Sequence, residues 1–299
     1  MDIVAVFINI AVFLGLAPLF DGIIRKLYAK VQSRKGPPVV QPYYDLIKLL
    51  GKESIVPGNA AFKIAPMMAF ASIVTVISFI PLGFRETFLT QYADIITVIY
   101  ILTLGGVSVL LGALSSRNTY AMVGASREMV TMIMVEPVLA MTLILGAIKA
   151  KTMTIGASFA GAGNFGYGIG TVLMLAVFLM ALQAFVARQP FDISEAEIEI
   201  IEGPFIEYSG PNLALFKYYM MLKQMFYAFL FVSVFMPFFN TGVYLLNVLL
   251  QMAGVLAVAA LIALVGSTNP RLRIDQAVRY YSVLIALSLT AVGLTVYGI

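Results

Sequence analysis

The sequence contains no cysteine, no histidine and no tryptophan, and only 11% of its 299 residues are charged. Without cysteine or histidine the chain cannot ligate iron–sulfur clusters, haem or zinc in the usual ways, form disulfides, or run Cys- or His-based catalysis. It offers no residue type for carrying electrons, and neither a metal site nor a set of catalytic residues is expected in it. With tryptophan missing, the 15 tyrosines must supply most of any aromatic belt. A formal charge of +4 is too small to imply a nucleic-acid partner. What remains is apolar. Hydrophobic residues make up 61% of the chain and the mean hydropathy is +0.96, whereas a soluble domain carries about a quarter charged residues. The composition therefore predicts an all-α integral membrane protein whose first partner is the lipid bilayer.

Eight apolar runs are long enough to span: Ile3–Ile24, Ile64–Phe84, Ile95–Leu114, Met129–Ile148, Ile169–Ala187, Leu222–Phe239, Val243–Val265 and Tyr280–Gly298. The fourth extends readily back to Ala121 and the sixth to Leu213. The first is expected to be a retained span, because no basic residue precedes it and Arg25, Lys26 and Lys30 follow. Loops one, three, five and seven hold sixteen Lys and Arg when Lys223, at the head of the sixth run, is counted with loop five, against three in the other loops and both tails. The positive-inside rule then puts the odd loops in the cytoplasm and both termini outside the cell membrane. A single polytopic domain over 1–299 is expected, with cytoplasmic loops at about 25–63, 115–128, 188–221 and 266–279.

These loops are not plain tethers. In loop one, Leu46, Ile47 and Leu50 share a helical face, with Asp45, Lys48 and Lys52 opposite. That pattern predicts a short amphipathic helix at the interface or against a partner, the plainer alternative being a solvated linker. Loop five, ARQPFDISEAEIEIIEGPFIEYSG from Ala187 to Gly210, packs six carboxylates between two apolar runs: Asp192, Glu195, Glu197, Glu199, Glu202 and Glu207. A helix there would align Glu195, Glu199 and Glu202 on one face, with Ile198, Ile201 and Phe205 beside them. Such a face turns to water or lines a polar cavity.

Glu136 lies inside TMIMVEPVLAMTLIL, apolar on both sides. An ionised carboxylate at that depth costs on the order of 2.5–3.5 kcal/mol, so a functional role is the default reading, with structural glue between helices as the alternative. Pro137 follows it directly and predicts a locally broken helix. Asp21, Asp94 and Lys149 sit at span ends, where snorkelling explains a charge. Glu128, beside Arg127, suggests a local ion pair.

Taken in order, the motifs resemble the H-type (subunit 1) family of membrane subunits shared by respiratory NADH:quinone oxidoreductase and energy-converting nickel–iron hydrogenases. The resemblance runs through Arg34-Lys35-Gly36-Pro37, Gln41-Pro42 with Asp45, Lys48 and Lys52-Glu53, and Gly124-Ala125-Ser126-Arg127-Glu128 with Glu136. It continues through Arg188, Pro190-Phe191-Asp192, Glu195-Ala196-Glu197, Glu199, Glu207-Tyr208-Ser209-Gly210, and Arg271 with Arg273, Asp275 and Gln276. Quinone-reducing members usually carry a glutamate where Met220 stands, near Lys217, and many have an acid at the position of Phe185. Their paired polar residues in the fourth span are replaced here by Val130-Thr131 and Met134-Val135. These departures favour the hydrogenase branch or a sulfur-reducing complex, while the EAEIE sequence stays closer to the quinone enzymes.

The resemblance implies a coupling subunit that binds no cofactor of its own. Iron–sulfur clusters and a nickel–iron centre would reside in peripheral partner subunits fed by reduced ferredoxin, and antiporter-like membrane subunits would move protons or sodium. Glu136 and the six loop-five carboxylates would form the ion path. Arg34, Asp45, Lys48, Glu53, Arg127, Glu128, Arg188, Arg271, Arg273 and Asp275 would be charge partners or docking residues. An autonomous secondary transporter is the rival from another class, since an intramembrane acid and proline-interrupted spans also mark transport sites.

Overall fold

A run of about 20 apolar residues in lipid has one economical solution, a helix that satisfies its own backbone. The computed structural model, which describes residues 3–55, 59–90, 92–156, 158–159 and 168–298, is built from such helices. Its long members are α1 (Ile3–Val31), α3 (Ala60–Phe79), α4 (Ile95–Ser115), α5 (Thr119–Ala150), α6 (Ile169–Phe185), α8 (Gly210–Phe235), α9 (Tyr244–Thr268) and α10 (Ile274–Val296). Two short ones, α2 (Gln41–Leu50) and α7 (Glu197–Ile200), lie in loops one and five. Seven of the long helices are long and apolar enough to cross a membrane. The eighth, α6, has 17 residues, about 25 Å of helix, and coincides with the fifth apolar run. The fourth and sixth spans take the longer of their two expected starts.

Local chemistry sets the ends. Asn118 caps α5, its side-chain oxygen accepting from the Tyr120 amide at 2.8 Å, and Lys151 closes that helix in the left-handed conformation. Asn59 caps α3 in the same way. α1 runs on to Val31, so Arg25, Lys26 and Lys30 occupy its last turns, where cations complement the helix dipole. Pro18, Pro66 and Pro137 sit inside helices that continue past them. The break expected at Glu136-Pro137 is therefore absent. One proline removes one hydrogen bond, and neighbouring helices restrain the rest.

The centre of the bundle is α8, whose second half from Gln224 to Phe235 is buried throughout. It packs on α1, α3, α6 and α9, while α10 lies against α5 and α6, and α3 against α4. Aromatic rings fill the middle, including Phe13 with Phe229 and Phe178 with Phe185, Phe231 and Phe235. α2 forms as expected. It buries Pro42 and Leu46 against α1 and α8 and leaves Ile47, Lys48 and Leu50 exposed.

All four odd loops meet on one end of the bundle. Asn118 donates to Glu207 at 2.6 Å, Ile55 N donates to Ser209 Oγ at 3.0 Å, and Leu272 N donates to the Pro190 carbonyl at 3.0 Å. Two glycines make the approach possible. A Cβ at Gly124 of α5 would sit 2.7 Å from Pro204 Cδ and 2.8 Å from Gly203 Cα in loop five. Gly210, at φ +56°, starts α8 directly against the Glu53 carbonyl. At the opposite end Asn9 donates to the Ile80 carbonyl at 2.7 Å, and Asp94 bridges Thr154.

Candidate functional site

Loop five begins where α6 stops at Phe185, and its first charged residue turns inward. Arg188 pairs with Asp21 of α1, a carboxylate with 0% exposure, and also donates to Gln224 Oε1 of α8 at 3.1 Å. Arg25 Nε holds the other Asp21 oxygen at 2.7 Å, and its Nη1 reaches Asp45 of α2 at 3.4 Å. Burial works against the Arg188 charge, but Asp21, Tyr28, Glu195 and Asp192 outweigh it and hold the guanidinium protonated. Asp21 is thus a buried partner of two arginines rather than a snorkelling edge residue, and Arg188 pairs with α1 rather than with a loop-five carboxylate.

The remaining acids separate. The helix expected through Glu195, Glu199 and Glu202 is a single turn, because Ile201 and Glu202 adopt positive φ of 49° and 59° and end α7 at once. Glu195, Glu199 and Glu202 therefore do not share a face. Glu199 turns to Arg127 Nη1 at 2.6 Å, and Glu202 lies at the rim, 3.9 Å from Lys217. Ile201 is exposed and Phe205 buried, so these two do not share a stripe, and the Ile198 side chain falls outside the described residues. Arg271 holds Asp192 at 2.9 Å. Glu128 pairs not with Arg127 but accepts from Ser194 Oγ of loop five at 2.7 Å. Glu207 is exposed beyond the cluster, and the Glu197 side chain falls outside the described residues.

Among the other anticipated charge partners, Arg34, Lys48, Glu53, Arg273 and Asp275 are exposed. Arg273 and Asp275 flank the start of α10, beside a surface cavity of about 240 Å³ that also takes in Arg127, Asp192, Glu199 and Arg271. Among the described residues, no three Asp or Glu side chains gather in a way that could hold a metal ion.

Three neighbouring cavities, each sharing lining residues with the next, lie among the inward-facing groups. The outermost, about 350 Å³, is walled by Asp21, Arg25, Arg188, Asp192, Glu195, Glu202, Lys217 and Gln224. A constriction of about 20 Å³ lies between Glu195, Ser194, Glu128, Tyr219 and Lys223. Beyond it a cavity of about 50 Å³ reaches Glu136, with Glu128, Thr131, Tyr219, Lys223 and Tyr227 around it. Glu195 belongs to the first and second, and Glu128, Tyr219 and Lys223 to the second and third. The two smaller spaces suit one or a few waters hydrogen-bonded to their walls, and the largest has room for many.

Sequence reasoning misses Lys223, Tyr219, Ser194 and Gln224. By position Lys223 counts with the loop-five cations, but α8 starts at Gly210 and carries it well into the bundle. The signal is there to be found. A lysine inside an apolar span meets the same criterion that singles out Glu136.

Glu195 is half-buried, and its carboxyl is pushed up to about 8, first by burial and then by the charges of Asp192 and Glu128, with Arg188 and Lys223 pulling the other way. The folded protein thus holds this proton more tightly than an ordinary glutamate at 4.5 does. The associated stability is complete below pH about 4.5 and is lost as pH rises toward about 8. Glu195→Gln keeps a neutral side chain at every pH. Its stability should gain on the wild type by up to about 1.4 kcal/mol per pH unit across that window and level off above it. Thermal unfolding of both proteins at several pH values reads this out, and a pH-independent difference contradicts it.

The fold and site define a multi-pass helical membrane protein in which ionisable side chains line cavities from one loop face into the bundle. A family model described as NADH dehydrogenase matches residues 3–296, and the chain belongs to that family. It is 31% identical to formate hydrogenlyase subunit 4 of Escherichia coli (strain K12), over 92% of either chain. It is 35% identical to hydrogenase-4 component C of the same organism, over 76% of this chain and 73% of that one. The H-type subunit of NADH-quinone oxidoreductase from Thermomicrobium roseum is 32% identical, with 97% and 93% covered. Among solved structures, a chain of the membrane-bound sulfane sulfur reductase, described as an archaeal respiratory membrane complex, superposes with a TM-score of 0.83 at 28% identity, covering 96% of this chain and 99% of that one. These relatives are subunits, components or chains of larger membrane assemblies.

Proposed function

We propose that this chain is the membrane anchor and coupling subunit of a complex-I-like, energy-converting membrane-bound hydrogenase. It carries charge displacement and leaves electron transfer to others. The supporting observation is the run of cavities from the loop-five carboxylates to Glu136, in a chain without cysteine or histidine. Peripheral iron–sulfur and nickel–iron subunits dock on the odd-loop face, which lies in the cytoplasm, with both termini outside the cell membrane. Antiporter-like subunits take up the charge change laterally and move protons or sodium.

The resemblance to formate hydrogenlyase subunit 4 and hydrogenase-4 component C supports the hydrogenase branch. So does Met220, which puts a thioether side chain against the two outer cavities where quinone enzymes usually carry an acid. The likeness to the sulfane sulfur reductase chain supports a sulfur-reducing complex as the second reading.

Mild detergent extraction followed by metal analysis and identification of copurifying chains tests this. Nickel with iron in a multi-subunit complex is the expected result. Iron without nickel moves the assignment to the sulfur- or quinone-reducing branch. Ion transport by the isolated chain in liposomes overturns the subunit role.

A further inference from the structure

We propose that Lys223 is a moving counter-charge, whose ammonium shifts between the Glu136 side and the Glu128–Glu195 side of the constriction as those carboxylates gain and lose charge. The inference rests on the coupling role proposed above and names the residue that links its two halves.

Placement is the first argument. Lys223 stands inside α8, half-buried between the buried Leu222 and Gln224, and lines both small cavities. Glu136 faces one of them, Glu195 faces the other, and Glu128 is common to both. The two cavities share Ala187, Glu128, Tyr219 and Lys223, and Lys223 is the cation of that set.

Freedom is the second argument. The other cations of this region are committed: Arg188 to Asp21, Arg127 to Glu199, Arg271 to Asp192, and Lys217 near Glu202. Among the described residues Lys223 has no such ion pair, although three carboxylates share its cavities. A cation at this depth is costly unless it answers nearby negative charge. Lysine suits the task because it is a compact charge on a flexible four-carbon stem, whereas an arginine's planar fork fastens on one carboxylate. Tyr219, which lines the same junction, carries no charge to shift.

The test uses the assembled complex in proteoliposomes, driven by reduced methyl viologen, with proton and sodium uptake measured per electron delivered. Lys223→Met should continue to pass electrons while translocation per electron falls at least about tenfold. Lys223→Arg keeps the charge but not the mobility, and should lose several-fold. A wild-type ratio in Lys223→Arg makes the lysine a fixed counter-charge and overturns the proposal, as does a wild-type ratio in Lys223→Met. If the Met variant fails to assemble, the Arg variant decides alone. Glu136→Gln is measured in parallel. Its loss of coupling beside fully coupled Lys223 variants sinks this inference only, whereas full coupling in all three sinks the coupling role as well.

Discussion

Glu136→Gln should leave the complex assembled and still passing electrons, and should cut ion translocation per electron on the order of a hundredfold or more. The amide is nearly isosteric with the carboxyl and can make similar hydrogen bonds, so the packing of α5 has little reason to change. What disappears is the capacity to hold and release a proton. Glu136 is half-buried, faces the innermost cavity, and has Lys223, Tyr219 and Tyr227 around the same space. Two unit charges about 4 Å apart interact by about 4 kcal/mol at an effective dielectric of 20. That energy corresponds to about a thousandfold in proton affinity, enough to change the occupancy of a carboxyl when a charge appears or leaves nearby. Glutamine cannot respond at all. Glu207→Gln is the control, because Glu207 is exposed, bonded to Asn118 and outside all three cavities. Coupling should persist in that variant. Equal coupling in both variants would remove Glu136 from the path.

How much of this arrangement the sequence reveals depends on the range of the forces involved. The spans were legible because bilayer thickness imposes a length on any apolar run, and the amphipathic α2 because its pattern repeats with the helical period. Glu136 was legible because a charge within an apolar segment is too costly to persist without a role. The partners were not. Asp21 looks like an edge residue in one dimension. It is buried and paired with Arg188, separated from it by 167 residues, and no local pattern encodes that meeting. The helix expected through Glu195, Glu199 and Glu202 failed for a similar reason. Spacing favoured it, but the chain reverses at Ile201 and Glu202 so that Gly203 and Pro204 can enter against Gly124. Tertiary contact overrode a weak local preference.

Asp21→Ala carries the largest stability change expected from a single substitution here. Asp21 is fully enclosed and is the ion-pair partner of Arg188, which is left with Gln224 and the neighbouring charges of Glu195 and Asp192 when the carboxylate is removed. Arg25 keeps Asp45 at 3.4 Å and so retains one anion. Stranding a fully buried charge costs about 3–5 kcal/mol, and Arg188, whose side chain is 34% exposed toward the large cavity, should lose less than that, read as a drop in the unfolding temperature of the detergent-solubilised complex. The double variant Asp21→Ala with Arg188→Met is the informative partner. A buried ion pair replaced by apolar groups of similar volume is often neutral or stabilising, because both desolvation costs vanish together. The second substitution should therefore recover most of what the first loses. Additive losses would mean that the pair's worth lies in its packing rather than in charge compensation. The same double variant also asks what the pair does for coupling. Asp21 and Arg188 both face the 350 Å³ cavity, together with Glu195. Arg188 is one of the two cations that pull the Glu195 proton affinity down. Its removal should leave Glu195 protonated to a higher pH and move the alkaline limb of coupling upward, even in a complex whose stability has been restored.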